Sequence, residues 1–365
     1  MTLHADDLVE AGLIDRGRLD EIRRVAQSFA VALTDHVAGL IDRDDPQDPI
    51  AAQFVPRAAE LDSAPEERAD PIGDDAWSPV AGIVHRHRDR VLFKPTLLCP
   101  VYCRFCFRRE MVGQKGAVLR GAALDRAFAY IRENRDIWEV IVTGGDPFLL
   151  SPRRVREIVS ALGAIPHVAV IRFHTRVPAV DPGRLSAALV AALATEKAVY
   201  VVVHANHPRE LTPAMRQAVL RLLRAGIPVL SQSVLLRGVN DDPAVLEALF
   251  RGLVAMRVKP YYLHHADLAR GTAHFRTSVE TGQRLVRDLR AGASGLCQPT
   301  YVLDIPGGFG KVPIAASAIA QSAEGDGWVV EDGAGRRHAY LAPGVEIARE
   351  GAGGAVARAP SEPVA

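Results

Sequence analysis

The chain has 365 residues, 48% of them hydrophobic, with 44 Lys and Arg against 43 Asp and Glu. That length is enough for one large domain with appendages or for two domains. The balanced charge gives no overall attraction to nucleic acid or to an acidic membrane surface, and no uncharged apolar run reaches the roughly 20 residues of a transmembrane helix. The amino terminus lacks a basic and apolar leader, so we expect a cytoplasmic protein without a secretory signal.

The first 75 residues are predicted to form short amphipathic helices joined by polar segments. Apolar side chains share one helical stripe at Leu19, Ile22, Val25, Ala26 and Phe29. Residues 44–49 break this pattern, and residues 61–79 carry acids and prolines with few large apolar side chains. The stretch 61–79 is therefore predicted to be an extended linker that wraps a core.

From residue 91 onward, short β-branched runs alternate with helical stretches. The predicted strands cover residues 91–93, 139–143, 168–173, 198–204, 228–234, 258–264 and 300–303. The predicted helices cover residues 122–134, 152–164, 181–195, 212–225, 243–255 and 279–291. This alternation predicts a parallel sheet with crossover helices. Roughly six such units favour an α/β fold built as a partial (β/α)6-type barrel, in which chemistry gathers at the carboxyl ends of the strands.

The predicted domain organisation has three parts. An N-terminal helical segment with its linker covers residues 1–75, the core barrel covers 76–321, and a C-terminal appendage covers 322–365. The appendage contains a hairpin-like stretch over residues 328–341. Its tail, residues 350–365, is rich in Gly, Ala and Pro and is predicted to be disordered.

Three cysteines, Cys99, Cys103 and Cys106, lie within eight residues. A [4Fe–4S] cluster that only transfers electrons takes four Cys ligands, so three leave one iron free to bind a small molecule. Two other interpretations are a zinc site completed by His85 and His87, and a disulfide framework of the kind found in short secreted chains. The C-x3-C-x2-C run resembles the signature of radical S-adenosylmethionine (SAM) enzymes, whose oxidation-sensitive cluster suits a reducing compartment.

A second motif, TGGDP at residues 143–147, ends a predicted strand. Gly144 and Gly145 allow a ligand to approach the backbone closely, and Asp146 offers acceptors to an ammonium group; the motif is also an ordinary βα turn. One βα unit downstream of the cysteines, it resembles the loop that binds the amino group of SAM in the radical enzymes. His204 and Gln232 end later strands, where they either cap the local backbone or, by the same resemblance, line the SAM pocket.

A third motif, PGGFGK, places Lys311 after a glycine-rich loop. Its spacing differs from that of a phosphate-binding loop, and Val312 stands where such a loop has Ser or Thr. A lysine amine can form a Schiff base with pyridoxal phosphate (PLP), and flexible glycines would let it swing away from the cofactor. The alternative from the residues alone is a surface lysine.

Several longer motifs together resemble the lysine 2,3-aminomutase family. They are HRHRDRV at residues 85–91, the cysteine run with its basic residues, PYYLHHAD at 260–267, HFRT at 274–277 and PTYVLDIPGG at 299–308. The resemblance extends from about residue 80 to about residue 315. It implies three cofactors, which are a [4Fe–4S] cluster, SAM and PLP.

The resemblance also assigns the residues that hold the cofactors. The three cysteines of the run would bind the cluster, and Lys311 would be the resting partner of PLP. Arg86 and Arg90 would face the phosphate of PLP, a role that suits the bidentate geometry of guanidinium. Their alternative is a pair of solvated charges on a strand edge.

For the substrate, the resemblance points to one arginine and two acids. Arg108 would clamp the carboxylate, and Asp267 with Asp304 would hold the distal ammonium of lysine; structural ion pairs and strand-end aspartates are the alternatives. Without a cation between them two acids repel, and one takes up a proton. A glutamate-specific relative should not carry two acids at these positions.

The implied reaction moves the α-amino group of L-lysine to its β-carbon, through a PLP aldimine and a 5′-deoxyadenosyl radical made from SAM at the reduced cluster. It implies an electron donor such as flavodoxin or ferredoxin, and it leaves a homo-oligomer open. Alternatives are the same chemistry on ornithine or arginine, a place in the β-lysylation of elongation factor P, and a metal-binding or regulatory protein without catalysis.

The chain departs from long members of the family at three places. No cysteine follows Cys297, and Asp242 stands where those members carry a further zinc-ligand cysteine, so we expect a short form without the C-terminal zinc extension. His264 replaces a tyrosine near the cofactor. Cys297 itself is expected to be a buried free thiol.

Overall fold

A computed structural model describes residues 2–113, 118–323, 327–332 and 335–341. The predicted disordered tail, residues 350–365, lies outside these ranges. The chain divides into two compact units, Met1–Ala316 and Ser317–Ala365. Within the described ranges, no helix combines the length and apolar character needed to cross a bilayer.

The strands of the first unit belong to a small ribbon and a large sheet. The ribbon pairs β1, Thr2–Leu3, with β2, Leu33–Thr34. The strands of the large sheet are β3 (Ile83–His87), β4 (Arg90–Thr96), β5 (Glu139–Gly144), β6 (Val170–Thr175), β7 (Ala198–His204), β8 (Val229–Val234), β9 (Lys259–His264), β10 (Thr300–Asp304) and β11 (Lys311–Pro313).

The large sheet follows the order of the chain from β3 to β11. Strands β4 to β10 are mutually parallel, and the outer strands β3 and β11 run antiparallel to their neighbours. Parallel neighbours need crossover helices, which lie between them in the sequence. The α/β partial barrel predicted from strand–helix alternation is thereby confirmed.

The helices alternate with the strands as predicted, and their bounds are as follows. They are α1 (Asp7–Glu10), α2 (Leu19–Ser28), α3 (Asp35–Ala38), α4 (Pro49–Phe54), α5 (Gly121–Glu133), α6 (Pro152–Gly163), α7 (Val177–Val180), α8 (Ala187–Ala191), α9 (Pro213–Arg224), α10 (Pro243–Ala255) and α11 (Val279–Gly292). Short 3₁₀ helices cover Arg16–Arg18, Ala58–Leu61, Asp75–Trp77, Pro147–Leu149, Pro182–Arg184, Pro208–Glu210, Ala273–Phe275 and Gly295–Cys297.

Capping residues set where the crossover helices begin. The side chain of Thr212 accepts a hydrogen bond at the start of α9, and Pro213 follows it as the first helical residue. Asp242 caps α10 in the same way, with Oδ1 accepting from the amides of Ala244 and Val245 at 2.9 and 3.1 Å. The side chain of Asp242 therefore has a structural role as a helix cap in this chain.

One predicted helix, over residues 181–195, is wrong in its extent. The segment forms the 3₁₀ helix Pro182–Arg184 and then α8, Ala187–Ala191. Leu185 has a non-helical backbone, and Ser186 caps a new start with its hydroxyl. The apolar residues keep a helical period across this break, so they predict one helix where the structure has two short ones.

Alternation along the strands separates the core from the interior of the barrel. Val140 and Val142 of β5 and Phe173 of β6 pack in the main hydrophobic core with Ile158 and Leu162 of α6. Since side chains alternate between faces along a strand, the residues between them point to the opposite, inner face of the sheet. That inner face carries the polar side chains described below.

The segment predicted to be an extended linker, residues 61–79, is more deeply packed than expected. Glu67 and Asp74 are buried, and Asp75–Trp77 forms a 3₁₀ helix. Trp77 Nε1 donates to the carbonyl of Gly307 at 3.4 Å. The segment thus contacts the glycine-rich loop before Lys311.

The second unit contains a three-stranded antiparallel sheet of β12 (Ile319–Gln321), β13 (Gly327–Glu331) and β14 (Arg337–Leu341). Gly327 pairs with Leu341, and Glu331 pairs with Arg337. The hairpin predicted over residues 328–341 is confirmed.

Candidate active site

Most of the predicted site residues lie at the carboxyl ends of the parallel strands, where barrels carry their chemistry. Arg86 lies instead on the antiparallel strand β3, and Arg90 lies at the amino end of β4. The cysteine run follows β4, Gly144 ends β5 and Asp304 ends β10. His204 and Gln232 are direct partners in the register of β7 and β8. The order of the sheet therefore brings residues from distant parts of the chain to one end of the barrel.

The three cysteines share one loop, and all are free and half-buried. Burial, and then the neighbouring Cys103, raises the pKa of Cys106 to about 11. Burial also raises the pKa of Cys99 well above its usual value, with contributions from Asp146, Cys106 and Cys103. Three free thiols on one loop are a suitable donor set for an iron–sulfur cluster, whose binding removes their protons.

The zinc interpretation of this region is not supported. Among the residues that the structure describes, no three His, Cys, Asp or Glu side chains are arranged to hold a single metal ion. His85 Nδ1 is hydrogen-bonded to the hydroxyl of Tyr130 at 2.7 Å. A cubane cluster differs from a single ion because each of its irons takes its own ligand, so its thiols need not meet at one point.

Two arginines of the cysteine loop are held by one acid from the N-terminal segment. Arg104 Nε lies 3.0 Å from Glu60 Oε1, and Arg109 also pairs with this carboxylate. Although burial opposes it, the charges of Arg104 and Arg109 lower the pKa of Glu60. Sequence reasoning missed Glu60, since one acid in a polar segment has no distinguishing pattern.

The two glycines at the end of β5, Gly144 and Gly145, are required by a close backbone approach to the cysteine loop. A Cβ atom at Gly145 would lie 2.2 Å from the carbonyl oxygen of Leu98. At Gly144, where φ is +111°, it would lie 2.6 Å from the carbonyl oxygen of Thr96. The backbone at the end of β5 therefore packs directly against the segment that leads to Cys99, with no room for a side chain.

Asp146 ties the ends of two strands together. Its carboxylate accepts hydrogen bonds from the hydroxyl of Thr175 at 2.8 Å and from the amides of Arg176, Val177 and Phe148 at 2.7, 3.2 and 3.0 Å. Burial raises the pKa of this carboxyl group above its usual value. The side chain predicted to receive an ammonium group therefore already has several protein donors.

His204 lies against the cysteine loop. Its ring centroid is 5.7 Å from that of Phe105, and Nε2 is 3.1 Å from Asn206 Oδ1. Burial and the charge of Arg176 lower the pKa of His204 well below its usual value. A neutral imidazole therefore faces this end of the barrel.

Three cations converge on one buried carboxylate, and we call this group the Asp74 cluster. Arg108 Nε lies 2.9 Å and Lys94 Nζ 3.6 Å from Asp74 Oδ2, while Arg86 pairs with Oδ1. Burial would raise the pKa of Asp74, but the three cations overcome it and lower the pKa to about 2. Because three cations face one anion, the buried Asp74 cluster carries a net positive charge.

The structure separates the two arginines predicted to face phosphate. Arg86 joins the Asp74 cluster, and its Nε is buried without a hydrogen-bond partner among the described residues. Arg90 pairs with the adjacent Asp89 at 2.7 Å and keeps 38% of its side chain exposed. Asp74 and Lys94 were not predicted, because neither belongs to a recognisable motif.

Lys311 and the two predicted acids form a second group, with His264. Asp304 and Lys311 are partners in the register of β10 and β11, and their side chains form an ion pair. His264 Nδ1 lies 3.4 Å from Asp304 Oδ2. Burial would raise the pKa of Asp304, but His264 and Lys311 lower it. Burial and the charge of Asp304 raise the pKa of Asp267 to about 7.

His174, on the inner face of β6, was missed by the sequence analysis. Burial, followed by the charges of Arg172 and Lys311, lowers the pKa of its imidazole far below the usual value. Its Nε2 is buried, with no hydrogen-bond partner in the described part of the chain. A polar side chain at the end of a strand is the pattern that identified His204, and His174 has the same pattern. It was missed because the predicted strand stops at residue 173.

The residues present fit a cluster and PLP. The cysteine loop carries free thiols that could bind a cluster, and Lys311 carries an amine of the kind that reacts with the aldehyde of PLP. The excess positive charge of the Asp74 cluster and the unpaired Arg86 Nε suit a phosphate or carboxylate.

Cys297, predicted to be a buried free thiol, is free and only 4% exposed, which confirms that prediction.

Comparisons with known proteins show the family of this chain. The family model of the Radical SAM superfamily matches residues 93–249. The chain is 41% identical over 302 residues to the L-lysine 2,3-aminomutase of Clostridium subterminale, an alignment that covers 82% of this chain and 73% of that protein. It is 41% identical over 298 residues to the enzyme of the same name from Acetoanaerobium sticklandii, covering 82% and 72%.

Another relative has a different substrate in its name. The glutamate 2,3-aminomutase of Clostridioides difficile is 36% identical over 309 residues, which covers 85% of this chain and 73% of that protein. Among solved structures, a radical SAM methyltransferase from Sphaerobacter thermophilus aligns over 60% of this chain and 68% of that chain, with 23% identity and a TM-score of 0.40.

The identity and coverage of these relatives exceed what a shared fold alone requires. The cofactors expected from the sequence, a [4Fe–4S] cluster, SAM and PLP, are those that the family implies. The chain therefore belongs to the lysine 2,3-aminomutase family of radical SAM enzymes and is a radical aminomutase, an isomerase.

Proposed function

We propose that the protein converts L-lysine to β-lysine by moving the α-amino group to the β-carbon. The observation that carries this proposal is the pair of acids, Asp267 and Asp304, next to Lys311. A distal ammonium that leaves water needs a counter-charge, and this pair supplies one.

The state of the two acids suits one ammonium group. Asp304 has its pKa lowered and stays ionised, whereas the pKa of Asp267 is raised to about 7, so the pair carries between one and two negative charges near neutral pH. Lys311 pairs with Asp304 while its own amine is not bonded to PLP. Once that amine is bonded to PLP, Asp304 is available to the ammonium of the substrate.

This arrangement favours lysine over glutamate. The side-chain carboxylate of glutamate would face the ionised Asp304, and two like unit charges at 4 Å repel by about 4 kcal/mol at an effective dielectric constant of 20. Ornithine and arginine carry a distal cation and avoid this repulsion. Side-chain length separates them from lysine, so they remain the second candidate substrates.

The Asp74 cluster provides the contacts for the other charged groups. Arg108, which lies close to the cysteine loop in the sequence, would clamp the substrate carboxylate, and Arg86 would hold the phosphate of PLP through its unpaired Nε. Arg90, paired with Asp89, would act on the phosphate only from a distance or after rotating its side chain. Planar guanidinium groups suit both anions.

The cluster and SAM would occupy the end of the barrel near β5, β7 and β8. Cys99, Cys103 and Cys106 would bind iron, while Gly144, Gly145, Asp146, His204 and Gln232 would line the SAM pocket. Because the carboxylate of Asp146 has several protein donors, the GGD loop would contact SAM through its main chain. When bound, the cluster with SAM supplies radical initiation and PLP supplies a covalent attachment for the migrating amino group.

The remaining expectations concern partners and location. An electron donor such as flavodoxin or ferredoxin would reduce the cluster. A cytoplasmic location would suit an oxidation-sensitive cluster. The substrate is a small amino acid, and we propose no role for nucleic acid.

A substrate comparison tests the proposal. The reconstituted, reduced enzyme is incubated anaerobically with SAM, PLP and one amino acid at a time, and the products are separated by chromatography. We expect β-lysine from L-lysine and no β-glutamate from L-glutamate. β-Glutamate without β-lysine would overturn the lysine assignment, and product from ornithine or arginine alone would replace it with the second candidate.

A further inference from the structure

A buried arginine donates directly to one of the three cysteines of the loop. Arg176 Nη1 lies 2.8 Å from the sulfur of Cys103. The residue is 6% exposed, and its guanidinium lies 4.6 Å from the ring centroid of Phe54 and 5.2 Å from that of Phe105. These contacts place a cation against the sulfur, away from solvent.

The other end of the guanidinium is fixed by an acid and an amide. Arg176 Nη2 lies 2.9 Å from Glu210 Oε2 and 2.7 Å from Gln53 Oε1. Glu210 is 1% exposed, and its Oε1 accepts from the amides of Asn206 and His207 at 2.8 and 2.9 Å. The main-chain amide of Arg176 is bound to Asp146. The side chain is therefore held in one orientation.

We propose that Arg176 raises the reduction potential of the cluster held by the cysteine loop and that Glu210 limits this effect. The proposal rests on the assignment of Cys99, Cys103 and Cys106 as cluster ligands. It concerns a positioning and tuning residue that contacts a ligand, rather than a group that touches the substrate.

The physical reason is electrostatic. Reduction transfers one electron from a low-potential one-electron donor to the cluster and therefore adds one negative charge. Arg176 keeps its proton throughout, because guanidinium does not lose it in proteins. A fixed cation and a hydrogen bond to a ligand sulfur both stabilise the reduced state, and a water-poor surrounding strengthens the effect.

Glu210 acts in the opposite direction and from further away. It lies beyond the guanidinium as seen from the Cys103 sulfur, so its negative charge offsets part of the effect of Arg176. It also offsets the cost of burying the cation. Replacing Arg176 by a neutral residue should therefore lower the reduction potential, and replacing Glu210 by a neutral residue should raise it.

The test is a potentiometric titration of the reconstituted holoenzyme, followed by the electron paramagnetic resonance signal of the reduced cluster. The variants are Arg176→Gln, Glu210→Gln and the double variant. At a fixed applied potential we expect the ratio of reduced to oxidised cluster to fall about tenfold in Arg176→Gln. For a one-electron couple this corresponds to a reduction potential lower by about 59 mV. Glu210→Gln should shift the potential upward, and the double variant should lie between Arg176→Gln and the wild type.

Several outcomes would overturn the proposal. One is an unchanged potential in Arg176→Gln at full iron content, and another is a shift of the same sign in both single variants, which would indicate a structural disturbance. If Arg176→Gln takes up no cluster, Glu210→Gln and the charge-conserving Arg176→Lys decide. The proposal then requires a higher reduction potential in Glu210→Gln. In Arg176→Lys it requires that the ratio of reduced to oxidised cluster fall by less than about tenfold.

The titration needs neither lysine nor PLP. A failure of the lysine assignment therefore leaves its result unaffected. A wild-type chain that binds no cluster would overturn the cysteine assignment and the Arg176 proposal together.

Discussion

Asp304 and Lys311 face each other across the ladder of β10 and β11, and their side chains form an ion pair. The residue proposed to hold PLP and a residue proposed to hold the substrate ammonium are thus each other's partners. The pairing explains how a buried acid stays ionised before any substrate arrives, since Lys311 and His264 both act on it. It also links attachment of the cofactor to opening of the ammonium site.

Replacement of Lys311 tests its role with PLP. We expect Lys311→Ala to lose the visible absorption band of lysine-bound PLP and the turnover of lysine, because no other amine replaces it. Iron content should be unchanged, since the cysteines remain. Lys197→Ala, near the amino end of β7, is the matched control and should retain both the band and the turnover. A surviving band in Lys311→Ala would contradict the assignment.

The two acids of the ammonium site should differ in importance. We expect Asp304→Asn to lower kcat/KM for L-lysine by at least about 100-fold, because it removes the counter-charge of a desolvated ammonium. Asp267→Asn should cost less, because near neutral pH Asp267 is partly protonated and Asn resembles that neutral form. Steady-state kinetics of both variants check the order. An equal or larger loss in Asp267→Asn would contradict this account.

Asp267 also predicts a pH dependence of stability. Its pKa in the folded chain is about 7, above the usual value for an Asp, so the folded state binds more protons than the unfolded state between about pH 4 and pH 7. Its contribution to the free energy of unfolding is complete at the acidic end of this window and is lost as pH rises through 7. Relative to Asp267→Asn, the wild type should lose stability over this range, measured by urea unfolding under anaerobic conditions. A constant difference would contradict the raised pKa.

Asp74 should be essential to the buried cations around it. Replacing it with Asn leaves Arg86, Lys94 and Arg108 without their shared counter-charge, which should cost about 3–5 kcal/mol of unfolding free energy. Inorganic phosphate should restore part of this loss. Asp75→Asn, on the exposed next residue, should change stability by less than about 0.5 kcal/mol. Similar urea midpoints for the two variants would argue against the Asp74 cluster.

Gly145 gives a steric test of the cysteine loop. An added Cβ would lie 2.2 Å from the carbonyl of Leu98, so Gly145→Ala should displace the loop and reduce the iron content. Gly183 has open space around its position, and Gly183→Ala should leave the iron content unchanged. Iron and sulfide analysis after reconstitution checks both variants. Full iron content in Gly145→Ala would show that the loop tolerates the displacement.

The parts of the fold that follow a simple period could be predicted from the sequence. Strands β5 and β7 consist largely of β-branched apolar side chains, which is typical of buried strands. Their predicted bounds agree within one residue with Glu139–Gly144 and Ala198–His204. Strand β3 was missed because HRH at its end reads as polar. Ile83 at its start packs in the hydrophobic core, whereas Arg86 faces the Asp74 cluster and His87 faces the glycine-rich loop at Gly310.

The site could be predicted where a motif carries the chemistry and not where contacts are made in three dimensions. The cysteines, the GGD loop and Lys311 have characteristic spacings. Glu60 and Asp74 act through cations that come close only in the fold, so the residues beside them in the sequence give no sign of these contacts. His174 was lost because the end of β6 was placed two residues too early.

The central claim is that the α-amino group of lysine migrates to the neighbouring carbon. The most direct measurement supplies the reduced holoenzyme with L-lysine that carries ¹⁵N in the α-amino group and ¹³C at the β-carbon, followed by NMR. The account predicts a new direct coupling between ¹³C and ¹⁵N in the product. Turnover of SAM without that coupling, or coupling only when a glutamate labelled in the same way is supplied, would contradict it.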